Sequence, residues 1–254
     1  HITIPSGTNM SIKGNFVNSG DEFTGDGLII FNGGNQQNIE GNVSNIQVDN
    51  SYGLKLTGEV HLEQSINFIE GIVRLGNYNF ILNATTSISG VFNSSSMFVT
   101  NGTGILRKEI ADNITFFFPI GDVNATAEYS PVNFTLNSNS GLTDAYINLK
   151  VVNEKYGLNS SSSDYLNRYW TLTQSGISVP DFDVTFTYAG TDVIGHEQNI
   201  YAAKYTGSTK VLHAIADEIN NNLTFNNLTS FSDFTGVDGV APEVINITSN
   251  NANG

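Results

Sequence analysis

The chain has 254 residues, enough for one large domain or two ordinary ones. Its net charge of −14 makes nucleic acid a poor partner, because binding phosphates needs a basic face. It has no cysteine, which excludes disulfide staples, thiolate metal sites and cysteine nucleophiles, and no apolar run approaches the ~20 residues of a membrane helix.

Residues 1–27 hold ITIP, NMSIKG and NFVNSG, which read as a first coil with corners at Pro5, Gly7 and Gly14. From Leu28 to Leu82 short runs follow one another, each with apolar residues two apart. Leu54 and Leu56 flank Lys55, Val60 and Leu62 flank His61, Ile66 and Phe68 flank Asn67, and Val73 and Leu75 flank Arg74. A period of two sends one face of each strand into a core and the other into water. Run starts recur three strands later, at roughly 20-residue intervals: Gly53 to Ile72, Val60 to Phe80, Ile66 to Ser87. That repeat predicts a short parallel β-solenoid with three strands per coil, and an antiparallel meander is the alternative.

Near Gly104 the strands become longer and more aromatic, from ILRKEI through NITFFFPIGD to TSFSDFTGV. Some nine or ten such strands, separated by turn residues, predict an antiparallel β-sandwich with Trp170 and Leu172 on its core face and Arg168 nearby. HAIADEINNN is the best helix candidate, and Asn220–Asn222 end it early. The fold class is therefore all-β, with a solenoid over 1–105 and a sandwich over 106–237. Residues 238–254 read as a linker or the start of a next module, in which Val240, Val244, Ile245 and Ile247 form a strand-sized block that needs a partner.

The stretch FNGGNQQNIEGNVSNIQVDNSYGLKL at 31–56 resembles a pattern of large secreted surface proteins of Bacteroidota. So do Gly104-Ile-Leu-Arg107, Phe118-Pro-Ile-Gly121, Tyr129-Ser-Pro-Val132, Arg168-Tyr-Trp-Thr-Leu172 and Ser230-Phe-Ser-Asp-Phe234, in that order. The segment from Ala241 looks like the opening of an immunoglobulin-like or cadherin-like repeat. The resemblance implies a non-enzymatic, extracellular module of a larger cell-surface adhesin or filament protein. It supplies no catalytic residues. Its expected partners are neighbouring modules or identical subunits, with surface glycans besides, and neither nucleic acid nor membrane insertion.

No HxxxH pair, nucleophile elbow or phosphate loop is present, and His61 is expected to point outward. A polysaccharide-cleaving β-helix would need paired carboxylates, for which Glu59, Glu63 and Glu70 are the candidates. No cofactor is expected. Calcium has weak candidates in Asp21, Glu22 and Asp26, with Asp181 and Asp183 as a second pair. A carbohydrate-binding module would need an exposed aromatic row, and Tyr52, Tyr78 and Tyr165 are the loop tyrosines to supply it. Sequons place glycosylation, if the host permits it, at Asn9, Asn42, Asn83, Asn93, Asn101, Asn113, Asn124, Asn133, Asn159, Asn222, Asn227 and Asn246.

Overall fold

The computed structural model describes residues 2–18, 23–138 and 141–239. It is all-β: a parallel solenoid of about five turns is followed by an antiparallel sandwich. The apolar block predicted beyond Val240 lies outside the described residues.

Three parallel ladders build the solenoid. The first stacks Asn9–Ile12, Leu28–Phe31, residues 45–48, residues 65–68 and Ser87–Gly90. The second stacks residues 37–39, 54–56, Val73–Arg74, Phe98–Val99 and Ile120–Asp122. The third stacks residues 41–43, 60–62, Phe80–Leu82 and Leu106–Ile110. Val60 pairs with Phe80, as the repeat predicts. Ile66 pairs with Ile88 and not with Ser87, a slip of one residue in the sequence register.

Stacking puts like residues on like, about 4.8 Å apart. Ile29, Ile46 and Ile66 form one buried column, and Val43, Leu62 and Leu82 another. Leu54, Leu56, Val60, Leu62, Ile66, Phe68, Val73 and Leu75 are all at most 1% exposed, while Lys55, His61, Asn67 and Arg74 point outward. Corners need backbone that only glycine supplies comfortably. Gly71 has φ +114°, and a Cβ there would lie 2.1 Å from the Asn50 carbonyl oxygen.

The sandwich has one six-stranded sheet, in the spatial order Leu106–Ile110, Leu142–Val152, Tyr169–Ile177, Ser232–Asp238, Ile200–Thr206, Thr209–Ile215. The facing sheet runs Ile114–Phe118, Val132–Ser138, Asp181–Thr187, Asn222–Leu228. Between them Trp170 packs on Phe186, 5.0 Å between rings, and Phe234 touches both Phe186 and Phe225. Trp170 is fully buried, as expected of a core residue. HAIADEINNN supplies the end of the edge strand Thr209–Ile215 and a turn in place of a helix. Val211, Leu212 and Ile215 on that edge strand are exposed, because it has a partner on one side only.

The chain does not cross from solenoid to sandwich once. Leu106–Ile110 pairs in parallel with Phe80–Leu82 and antiparallel with Leu142–Val152, so one strand belongs to both blocks. After the sandwich strand Ile114–Phe118 the chain returns to lay Ile120–Asp122 on the solenoid's second ladder. One hydrophobic cluster runs through both blocks, from Ile4 to Phe234.

Truncating a buried leucine removes transfer energy and leaves a cavity, so Leu62→Ala is expected to cost about 2–5 kcal/mol in chemical denaturation. Because the two blocks share a strand, Leu62→Ala and Phe186→Ala are each expected to lower one common calorimetric transition. Two separable transitions, each moved by only one of the variants, would show independent blocks.

Candidate functional site

Two polar constructions lie where solenoid meets sandwich. The first is buried. Arg168 is 0% exposed and meets three carboxylates: Nε donates to Asp192 Oδ2 at 2.6 Å, Nη1 to Asp122 Oδ2 at 2.5 Å, and Nη2 to Glu128 Oε2 at 2.6 Å. Asp122 and Glu128 face each other on the short hairpin that closes the solenoid's second ladder. Asp192 comes from a turn of 3₁₀ helix, Gly190–Asp192, in the sandwich.

Further donors offset the excess of carboxylate. Asn153 Nδ2 reaches both Asp122 and Glu128, at 3.2 and 2.8 Å. The Asn124 and Ala189 main-chain N–H groups bond Asp122 and Asp192, and the Thr191 hydroxyl bonds Glu128. Burial by itself would lower the Arg168 pKa, but its bonds to Asp192 and Asp122 more than offset that and raise it. Burial raises the Asp192 carboxyl even against its bond to Arg168. Arg168 is the fixed cation of the group, since a guanidinium holds its proton throughout the working range.

Several of the motifs quoted from the sequence meet around this group. Phe118-Pro-Ile-Gly121 leads into Asp122, and Ser130 of the Tyr129 motif accepts the Trp170 indole N–H at its carbonyl, 3.4 Å away. Thr235 donates to the Arg168 carbonyl at 2.6 Å, and Asp233 accepts from Thr171 and Tyr156 at 2.6 and 2.9 Å.

The second construction is an open groove of about 510 Å³ on the outer face of the shared strand. Along Leu106–Ile110 the buried residues are Leu106, Lys108 and Ile110, so Arg107 and Glu109 face out. Register places Asn148 beside Arg107 and Tyr146 beside Glu109. Arg107 Nε donates to Asn148 Oδ1 at 3.0 Å, and its Cζ lies 4.0 Å from the Tyr146 ring centroid. Asn148 in turn donates to the Thr173 hydroxyl at 3.2 Å.

One wall of the groove is the solenoid turn at Ala84, and the other is a β-bulge at residues 142–146. Asp144 sits on the bulge with φ +46°, uncommon for a non-glycine residue. Gly176 opposite has φ +72°, and a Cβ there would lie 2.0 Å from the Thr143 carbonyl oxygen, so the bulge requires glycine. Lys108, 1% exposed, holds the first wall from beneath by donating to the Asn83 and Ala84 carbonyls. Burial pulls its pKa down to about 8.

The candidates read from sequence are mostly scattered. Glu59 and Glu63 lie four residues apart on one strand, about 13 Å, too far for a glycosidase pair. Each is bonded to an asparagine one coil on, Asn79 at 3.0 Å and Asn83 at 2.8 Å. Glu70 lies on the first ladder, a different face of the coil from Glu63. His61 points outward and bonds Glu59 at 2.9 Å.

Of the calcium candidates, Asp21 and Glu22 lie outside the described residues, and Asp26 accepts from the Gln64 amide. Asp183 accepts the Asn227 main-chain N–H. Among the described residues no group of three or more His, Asp or Glu has the arrangement of a metal site. Tyr52 and Tyr78 are exposed on different corners, and the Lys155 ammonium covers Tyr165 at 4.3 Å, so the three make no row. The aromatic in the groove, Tyr146, reads in sequence only as a strand residue.

Among the sequons, Asn9, Asn42, Asn93, Asn101, Asn113, Asn124, Asn133 and Asn227 are exposed, Asn83 and Asn222 half-buried, and Asn246 lies outside the described residues. Asn159 is a correction. It is 6% exposed, donates to the Gly236 carbonyl and accepts from Ser161 N–H, so its amide is a structural group and no surface acceptor.

Arg168→Met is expected to cost about 3–5 kcal/mol in urea denaturation, because three buried carboxylates lose their cation. Adding Asp192→Asn to that variant is expected to recover part of the loss. Lys108 gives a pH signature: its folded pKa is depressed, so the unfolded chain binds more protons between about pH 8 and 10.5, and stability rises with pH across that window. Lys108→Met is expected to remove that rise, seen as a stability difference between the two proteins that changes from pH 8 to 10.5.

No protein-family model matches the chain, and no curated protein or solved structure matches it.

Proposed function

We propose that this chain is a non-enzymatic structural module of an extracellular surface protein, of the stalk, adhesin or filament kind that the Bacteroidota resemblance implies. The observation that carries the reading is the continuity of the sheet. Parallel solenoid strands pass into antiparallel sandwich strands through Leu106–Ile110, with main-chain hydrogen bonds on both of its edges. A rod built this way transmits load from one block to the other through backbone bonds and a shared core. Arg168 adds a second tie between the same two blocks.

Three buried cations are engaged in holding the fold. Lys108 fixes a turn, Arg168 fixes a seam, and buried Lys204 bonds the Ser230 hydroxyl at 2.5 Å. An acidic surface rich in Asn, Ser and Thr suits a protein that works in water beside copies of itself, since like charge opposes non-specific association.

Pulling the folded chain by residues 2 and 239 in a force spectrometer is expected to give one rupture event for solenoid and sandwich together. In Arg168→Met the event is expected to split or fall in force. Incubation with a panel of polysaccharides is expected to release no reducing ends. Turnover that disappears on Glu63→Gln or Glu70→Gln would overturn the non-enzymatic reading.

A further inference from the structure

The groove beside the shared strand is more finished than a structural seam requires. Arg107 is held on two sides, by Asn148 at Nε and by the Tyr146 ring against its face. Its two terminal nitrogens have no bonding partner among the described residues, and the side chain lines the groove. Glu109 and Asp144 line it as well, and neither lies within ion-pair distance of Arg107. A guanidinium with two carboxylates near it and no pairing among them is a set of planar hydrogen-bonding groups held apart.

Half-buried Ala84 and Leu142 and exposed Ala111 add apolar surface to the lining, while Ile110 and Ala145 behind them are buried in the core. The volume of about 510 Å³ lies in the range of small-molecule sites, which join an apolar lining to a few placed polar groups. Both walls are fixed. Lys108 holds the Ala84 turn, and Gly176 permits the bulge that carries Asp144.

We propose that this groove binds an uncharged oligosaccharide. The ring hydroxyls of a pyranose both donate and accept. The carboxylates of Glu109 and Asp144 take donated hydrogen bonds, and the free edge of Arg107 gives two. The C–H face of a pyranose fits the apolar lining. An anionic sugar meets two carboxylates for one guanidinium, in a chain of net charge −14, and is disfavoured. A cationic peptide would leave the Arg107 edge buried without an acceptor. The proposal stands apart from the structural reading above: a stalk without a sugar site, or a sugar-binding chain that bears no load, are both distinguishable outcomes.

The test is an NMR titration of the intact chain with neutral gluco-, manno- and galacto-oligosaccharides, with an oligogalacturonate and a lysine-rich peptide alongside. The expected result is saturable binding of a neutral oligosaccharide, with shifts centred on Tyr146, Ala145 and Ala84. Glu109→Gln and Asp144→Asn are each expected to weaken it at least tenfold with an unchanged thermal midpoint; asparagine tolerates the positive φ at position 144. Glu59→Gln, on the solenoid surface outside the groove, is expected to bind as the unaltered chain does. No saturable binding of any neutral oligosaccharide would overturn the proposal. So would preference for the uronate or the peptide, or binding that Glu109→Gln and Asp144→Asn leave unchanged.

Discussion

Three carboxylates around one buried guanidinium set the terms for the rest of this structure. Removing a charge from water costs several kcal/mol per ion, and only good geometry with extra hydrogen bonds recovers that cost. Arg168 has that geometry, with each of its three nitrogens on a different carboxylate. Asp122 and Glu128 come from the last rung of the solenoid, and Arg168 and Asp192 come from the sandwich. The group is satisfied only when both blocks are folded and docked. Such a group specifies one arrangement more than it adds stability, because any misdocked alternative leaves ions unpaired.

The solenoid handles its buried polar groups by the same logic. The column Leu54, Val73, Phe98 begins at Gln37, and the column Val43, Leu62, Leu82 ends at Lys108. Gln37 is 2% exposed, with its oxygen on Gly33 N–H and Asn50 and its nitrogen on the Ile12 carbonyl. Lys108 is bonded to two carbonyls. A buried polar group without a partner would cost about 1–3 kcal/mol, so these side chains mark where an apolar column has to stop. On the outside, amides and hydroxyls of successive coils bond one another: Ser65 to Asn45, Asn67 to Gln47, Ser89 to Asn67. The abundance of asparagine and serine in the sequence has that physical use.

The groove is a by-product of joining two kinds of sheet. The parallel pairing of the shared strand stops where Lys108 meets Leu82, while its antiparallel pairing runs on to Ile110 and the next strand bulges between Leu142 and Tyr146. The gap between turn and bulge is then lined by whatever the shared strand turns outward. Here those residues are Arg107 and Glu109, and the neighbouring strand adds Tyr146 and Asn148. Structural demand explains the gap; it does not explain a guanidinium held by Asn148 and Tyr146 with its outer edge unused.

Alternation and repeat by themselves pointed to the solenoid ahead of a meander, to its inward residues from Leu54 to Leu75, and to the existence of the sandwich strands. A strand with one wet face writes its burial into every second residue, so Lys55 and His61 are legible beside Leu54 and Val60 without any structure. Trp170 was legible for the same reason. Tertiary structure alone decided what those strands meet. Leu106–Ile110 reads as the first sandwich strand, and nothing local says that its other edge belongs to Phe80–Leu82, because main-chain hydrogen bonds carry no side-chain signature. Arg168 reads as a residue near a core tryptophan, and its burial depends on Asp122, Glu128 and Asp192, which lie 46, 40 and 24 residues away in sequence. Asn159 has the same sequon as its exposed counterparts, but its amide is buried against the Gly236 carbonyl, 77 residues away in sequence. Charge and polarity are properties of a residue, but satisfaction is a property of its surroundings, and those were assembled from segments far apart in the chain.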